Sequence, residues 1–270
     1  MMITTSPIVS ATWLFENRDN PELIILDGSL KNPIKRNLIM SHKIIPEALP
    51  FEWDKFSDLK NNLPHMMPNE VKFTQSAQEL GINSNSLLVV YDRVGIYSSA
   101  RVWWMFLAMG FKNCYVLDGG WPEWLKMGYN YVSEYKDLSK KGSFIAKFDH
   151  KLISSQMDVF IASNDKHQRI IDARSADRFY GKTAEPRAGL RLGHIPNSIN
   201  IPFEEVLFEH KLRNKMELER IFENLGDKNI PLTFSCGSGV TACIDALAAT
   251  VIGYQNLSVY DGSWSEWGMD

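Results

Sequence analysis

The chain has 270 residues, a formal net charge of −3 at pH 7, and 44% hydrophobic against 23% charged residues. That is the balance of a soluble globular protein with one large domain or two of ordinary size, and it gives nucleic acid or an anionic membrane no electrostatic hold. Apolar stretches such as Leu87–Tyr91 and Val102–Met109 are too short to span a bilayer, and the N-terminus lacks the basic start and apolar run of a secretory signal, so the cytoplasm is the expected location.

The predicted elements, taken in order, are written twice. In the first half, a strand Leu23–Leu26 leads into Asp27, and Ser41-His42 is followed by Ile45-Pro46. The apolar run Leu87–Tyr91 ends at Asp92, a loop containing Gly95 follows, and a helix is expected over about Ser98–Met109, closed by Gly110. Eight residues further on stands Asp118-Gly119-Gly120-Trp121-Pro122-Glu123-Trp124. A polar segment around Ser133–Lys151 then joins the halves. The second half reads as strand Ile170–Asp172, Gly193-His194-Ile195-Pro196, strand Ser198–Ile201, and helix Lys215–Leu225 with Leu218, Ile221, Phe222 and Leu225 at helical spacing. Strand Leu232–Ser235 ends at Cys236, and a helix over about Thr241–Ile252 is closed by Gly253. Strand Leu257–Tyr260 leads to Asp261-Gly262-Ser263-Trp264-Ser265-Glu266-Trp267, which matches the earlier motif at five of seven positions, both tryptophans included. Strands alternating with helices imply an α/β fold of two units, each a mostly parallel sheet flanked by helices on both faces. The expected boundaries are residues 1–135, a linker over 136–152, and residues 153–270.

Cys236 is the chemical centre of this pattern. It follows an apolar strand, opens the run Cys236-Gly237-Ser238-Gly239-Val240-Thr241 and stands just before a helix. In an open α/β sheet, ligands bind in the crevice at that end of the strand. Gly237 and Gly239 let the backbone curl into a nest of N–H groups at a helix N-terminus, which favours an anion at the sulfur, whether thiolate or persulfide. A cysteine phosphatase would need an arginine at position 242, where Ala242 stands, and a Cys-x-x-Cys redox pair is absent because the next cysteine is Cys243. Cys243 and Cys114 read as packing residues. Three cysteines are too few for a disulfide framework, and no metal-ligand spacing appears among them and the six histidines, so neither a metal nor another cofactor is expected.

The loop Cys236–Thr241, the run Tyr97-Ser98-Ser99-Ala100-Arg101-Val102-Trp103-Trp104-Met105, Gly193–Pro196 and the closing Asp261–Trp267 motif together resemble the tandem-domain rhodanese family, and within it the 3-mercaptopyruvate sulfurtransferases. The resemblance covers nearly the whole chain. It implies two rhodanese-like domains, the N-terminal one inactive because Asp92 stands in place of the nucleophile. It implies transfer of the sulfur of 3-mercaptopyruvate through a Cys236 persulfide to a thiol acceptor, such as thioredoxin or a small thiol, with release of pyruvate. The family's substrate arginines map onto Arg178 and Arg187, with Arg174 and Arg191 as nearby rivals. A proton relay from Ser238 through a histidine and an aspartate maps onto His65 and Asp54, with Glu52 and Asp58 close to the latter. Thiosulfate-type relatives carry basic residues directly after the cysteine. Here Gly237 and Ser238 are neutral, which favours a monoanionic donor over dianionic thiosulfate. A thiosulfate sulfurtransferase and a persulfide relay with little turnover are the alternative readings. His42 and His194 are expected to be structural.

Overall fold

A computed structural model describes residues 6–30, 43–138 and 140–269. The chain divides into two compact units, one of Met1–Asp58 with Met67–Phe148, the other of Leu59–Met66 with Asp149–Asp270.

The first unit contains β1 (Ile8–Val9), α1 (Ala11–Asn17), β2 (Leu23–Asp27), β3 (Ala48–Pro50), α2 (Glu70–Glu79), β4 (Leu87–Tyr91), α3 (Ser99–Ala108), β5 (Cys114–Leu117) and α4 (Gly120–Lys126). Its strands form one parallel sheet in the order β1-β5-β4-β2-β3. The second unit contains β6 (Ile153–Ser154), α5 (Gln156–Ser163), β7 (Arg169–Asp172), α6 (Ala176–Phe179), β8 (Ser198–Asn200), a small antiparallel pair β9 (Leu207–Phe208) and β10 (Lys211–Leu212), then α7 (Lys215–Ile221), β11 (Leu232–Ser235), α8 (Ala242–Val251), β12 (Leu257–Tyr260) and α9 (Ser263–Trp267). Its main sheet is again parallel, in the order β6-β12-β11-β7-β8. The two sheets therefore share one topology, as the repeat requires.

All five residues of β4 and all four of β11 are buried, the mark of a central parallel strand covered on both faces. The helices that follow them are also apolar nearly all round: Ala242 to Ala249 of α8 are buried without a break. Their C-termini close on Gly110 and Gly253, at φ 83° and 94°, a left-handed turn that glycine enters without a Cβ penalty. The expected helix over 215–225 is shorter. Asn214 and Glu217 form a capping box at its start, but the α-helix stops at Ile221 and a single 3-10 turn, Glu223–Leu225, finishes it before Gly226 at φ 105°.

Four of the described helices, α1, α2, α5 and α7, carry a side-chain cap. Ser10, Asn69, Ser155 and Asn214 each accept an N–H from the first turn of the helix they precede. The two helices that leave the central strands do not: α3 and α8 begin with no side-chain cap from the residue before them. Their N-terminal amides are left for whatever the preceding loop provides, and there the two units diverge.

Of the segment joining the halves, residues 140–148 belong to the first unit, and Asp149 onward to the second. Gly142 N–H donates to Gln78 O, Ser143 and Phe144 to Ile82 O, Ala146 to Thr74 Oγ1 and Lys147 to Met109 O. Ser41 and His42 lie outside the described residues.

Candidate active site

In the first unit the loop after β4 cradles its own carboxylate. Asp92 Oδ2 accepts N–H bonds from Tyr97 (2.7 Å), Ser98 (3.0 Å) and Ser99 (3.0 Å) and the Ser99 hydroxyl (2.8 Å), while Oδ1 accepts from Val94 N (3.0 Å). Burial pushes this carboxyl upward, and the bonds from Ser99, Tyr97 and Val94 pull against that push. The loop between central strand and helix is thus an anion nest, and here it is filled from within.

The second unit has the same frame with a different occupant. Trp121 N–H donates to Asp92 O at 2.9 Å, and Trp264 N–H donates to Cys236 O at 3.0 Å, so Cys236 stands where Asp92 stands. The Cys236 residue is 2% exposed. The amides of Val240, Thr241 and Ala242, counterparts of those that hold Asp92, donate to no protein acceptor among the described residues. An uncharged loop capped by a sulfur keeps that nest open for an anion carried on the sulfur.

The loop is pinned by α9. Ser263 Oγ accepts the N–H groups of Cys236 (3.1 Å) and Gly239 (3.0 Å) and donates to Tyr260 O (2.8 Å). Ser265 donates to Gly237 O through both its amide (2.9 Å) and its hydroxyl (2.5 Å). Ser263 holds φ at 49°, an uncommon state for a residue with a side chain. Its counterpart Gly120 holds φ at 50°, and a Cβ there would collide with the carbonyl oxygens of Gly95 and Asp92. In the second unit the hydroxyl at this position bridges two amides and a carbonyl, whereas in the first a Cβ would strike two carbonyl oxygens.

Two arginines converge on the loop. A Cβ built on Gly237 would lie 3.0 Å from Arg178 Nη2 and 3.8 Å from Arg187 Nη1. Arg187 Nη2 also donates to Ser238 Oγ at 3.4 Å. Arg178 comes from α6 and is paired with Glu185, Nη2 to Oε2 at 2.5 Å and Nε to Oε1 at 3.3 Å. Behind it Arg174 is closed off, bonded to both oxygens of Asp172, to Glu185 Oε1 (2.7 Å) and to Gly193 O (2.9 Å), with its guanidinium 4.3 Å above the Trp264 ring. Arg191 is spent on Trp267 O at 2.7 Å. Of the four arginines that the sequence leaves in competition, Arg178 and Arg187 are the two at the cysteine loop.

A rhodanese-like domain model matches residues 10–127 and again residues 159–270. The chain belongs to the rhodanese family. It is 37% identical to the 3-mercaptopyruvate sulfurtransferase of Escherichia coli (strain K12), over 98% of this chain and 96% of that one. It is 40% identical to the mitochondrial thiosulfate/3-mercaptopyruvate sulfurtransferase 1 of Arabidopsis thaliana, over 98% of this chain and 76% of that one. Among solved structures, SseA from Escherichia coli, described as a 3-mercaptopyruvate sulfotransferase of rhodanese fold, superposes with a TM-score of 0.85 at 35% identity, covering 97% of this chain and 100% of SseA.

Ser238 is buried in the loop beside Arg187. His65 lies in the segment Leu59–Met66, which belongs to the same unit as Cys236, and takes φ 61°. Asp54 lies in the first unit, exposed on the 3-10 turn Trp53–Phe56. His194 is structural, with Nδ1 2.9 Å from Phe179 O and its ring stacked on Phe179 at 3.9 Å. Cys243 is buried in α8, its thiol 3.2 Å from Gly239 O, and Cys114 is buried in β5, where burial pushes its thiol up and out of reactive range.

Four residues at the site escaped the sequence reading. Ser263 and Ser265 sit inside the repeated motif, where the glycine-to-serine change at one position was the available signal. Glu185 was visible only as a neighbour of Arg187. Asp245, on the first turn of α8, is 0% exposed, and neither of its carboxyl oxygens has a hydrogen-bond partner among the described residues. Burial pushes this carboxyl well above the ordinary range, and the strongest charge acting on it is that of Cys236, followed by Asp172, Glu204 and Glu205.

Proposed function

We propose that the protein transfers the sulfur of 3-mercaptopyruvate through a Cys236 persulfide to a thiol acceptor and releases pyruvate. The observation that carries this reading is the convergence of Arg178 and Arg187 on Gly237, the residue next to the nucleophile. Planar guanidinium forks at that spacing suit the carboxylate and keto oxygens of a small α-keto acid. The cysteine thiolate attacks the thiol sulfur of the donor, the carbon–sulfur bond breaks, and its electron pair becomes the pyruvate enolate. The thiol proton of the donor passes to the enolate carbon, so the half-reaction consumes no net proton and leaves Cys236–S–S⁻. Ser238, with His65, is the group within the second unit that we assign to this proton movement. A thiolate, from thioredoxin or a small thiol, then attacks the outer sulfur and restores the Cys236 thiolate, giving ping-pong kinetics. Three free cysteines and a thiol acceptor fit a reducing compartment, which we take to be the cytoplasm.

The test compares pyruvate release from 3-mercaptopyruvate with thiocyanate formation from thiosulfate, each with cyanide as acceptor. A preference for mercaptopyruvate supports the reading. A preference for thiosulfate overturns the substrate, and persulfide loading without turnover of either donor makes the protein a sulfur relay.

Gly237→Ala probes the same geometry. The added methyl meets Arg178 Nη2 at 3.0 Å, tighter than ordinary contact, so the guanidinium must yield. Displacing a substrate clamp by a fraction of an ångström is expected to lower kcat/KM for mercaptopyruvate about 10- to 100-fold. Because Gly237 is not in the left-handed region, the thermal midpoint should stay close to that of the wild type.

A further inference from the structure

Glu185 is the residue that the mechanism above leaves without a task, although its carboxylate is only 3% exposed and touches one of the two substrate arginines. Its oxygens are divided between two guanidiniums. Oε1 faces Arg174 Nη1 at 2.7 Å and Arg178 Nε at 3.3 Å, and Oε2 faces Arg178 Nη2 at 2.5 Å. Arg174 is itself fixed to the end of β7 by Asp172. The result is a four-member chain, Asp172–Arg174–Glu185–Arg178, whose charges sum to zero and whose last member reaches Gly237. Arg187, at the other side of Gly237, has no carboxylate within ion-pair distance among the described residues. The two arginines are therefore unequal: one is a positioned set of hydrogen-bond donors whose charge is already balanced, the other is a cation with no carboxylate paired to it among the described residues.

We propose that Glu185 is a positioning and specificity-determining residue, which holds Arg178 in place and balances its charge, leaving Arg187 as the arginine of the pair without a carboxylate partner among the described residues, and so lowers the electrostatic advantage that a dianionic sulfur donor would have over a monoanionic one. This rests on the assignment of Arg178 and Arg187 as the donor-binding pair. The electrostatic reason is simple. A second uncompensated cation would attract a dianion about twice as strongly as a monoanion, so removing it by internal pairing costs the dianion more than the monoanion, without any steric contact. Retaining the guanidinium keeps its planar fork for the α-keto acid, which a neutral side chain would not supply.

The experiment is Glu185→Gln beside Glu185→Asp, assayed with mercaptopyruvate and thiosulfate over a range of ionic strength. In Glu185→Gln the ratio of thiosulfate to mercaptopyruvate kcat/KM is expected to rise about tenfold at low salt and to fall back as salt is added. Glu185→Asp keeps the charge and should keep the wild-type ratio, even if both donors react more slowly. An equal loss for both donors in Glu185→Gln, with no salt dependence of the ratio, would overturn the proposal and leave Glu185 a structural residue. A measurement on the unaltered protein covers the case in which the variants do not fold. Protection of Cys236 from iodoacetamide by sulfate should be less than about tenfold tighter than protection by acetate, and protection tenfold tighter or more by sulfate would also overturn the proposal. If the wild type turns over neither donor, the proposed function fails, and the protection assay still decides the charge balance on its own.

Discussion

Replacing Cys236 with serine is expected to abolish sulfur transfer from either donor, a loss of at least about a thousandfold, while leaving the fold intact. The reason lies in the loop rather than in the cysteine alone. The backbone of Cys236 is held by Ser263 Oγ at its N–H and by Trp264 N–H at its carbonyl, and neither bond involves the side chain. A hydroxyl fits the space of a thiol, so stability should change by no more than about 0.5 kcal/mol. Chemistry does change, because a serine oxygen is a far weaker nucleophile than a cysteine sulfur unless a base activates it. Mass spectrometry of the protein after exposure to mercaptopyruvate gives the second readout. The wild type should gain the mass of one sulfur atom and Cys236→Ser none. A variant that still gained it would move the persulfide to Cys114 or Cys243, both buried thiols.

How much of this was legible beforehand follows from what each feature depends on. The twofold repeat and the central strands are properties of local pattern: Leu87–Tyr91, Leu232–Ser235 and Leu257–Tyr260 are found with the expected ends. The cysteine loop is also local, since strand, glycines and helix are contiguous, and its reading as an anion nest gains a physical control in Asp92, whose carboxylate fills the matching nest. What was not legible depends on apposition. Ser263 meets the loop from 27 residues away and Arg187 meets Ser238 from 51 residues away, and no periodicity encodes either meeting. The choice between Arg174 and Arg178 was open in the sequence because both stand in one short run. Folding separates them: Arg174, before the start of α6, turns back onto Asp172, and Arg178, within α6, reaches Gly237. The assignment of residues 59–66 to the second unit also follows from tertiary packing and has no local signature.

Asp245 supplies the second large effect, on stability and its pH dependence. Its carboxyl is fully buried with both oxygens unpartnered among the described residues, and the charges that act on it, from Cys236, Asp172, Glu204 and Glu205, are all negative. Arg174 offsets Asp172 through its own ion pair but makes no bond to Asp245. A carboxylate in that place would be uncompensated, so the folded state keeps the proton. The folded pKa therefore lies above the unfolded one, the reverse of the usual aspartate. Between the two values the folded state binds more protons than the unfolded state, and stability falls as pH rises, by at most about 1.4 kcal/mol per pH unit from this one group. Val102 occupies the matching position of α3, eight residues before its closing glycine as Asp245 is before Gly253, and is fully buried without any such cost. Asp245→Val is accordingly expected to stabilise the protein by about 1–3 kcal/mol at pH 8 and by progressively less toward pH 5. Asp245→Asn should remove the same pH slope with a smaller gain, because the amide remains a buried polar group without partners. Urea denaturation of the three proteins at pH 5 and pH 8 measures all of this. A stabilisation equal at the two pH values would mean that Asp245 does not change ionisation on unfolding in this range. A wild type more stable at pH 8 than the variants would mean that the carboxylate is charged and held, and that the negative groups around it do not govern its proton.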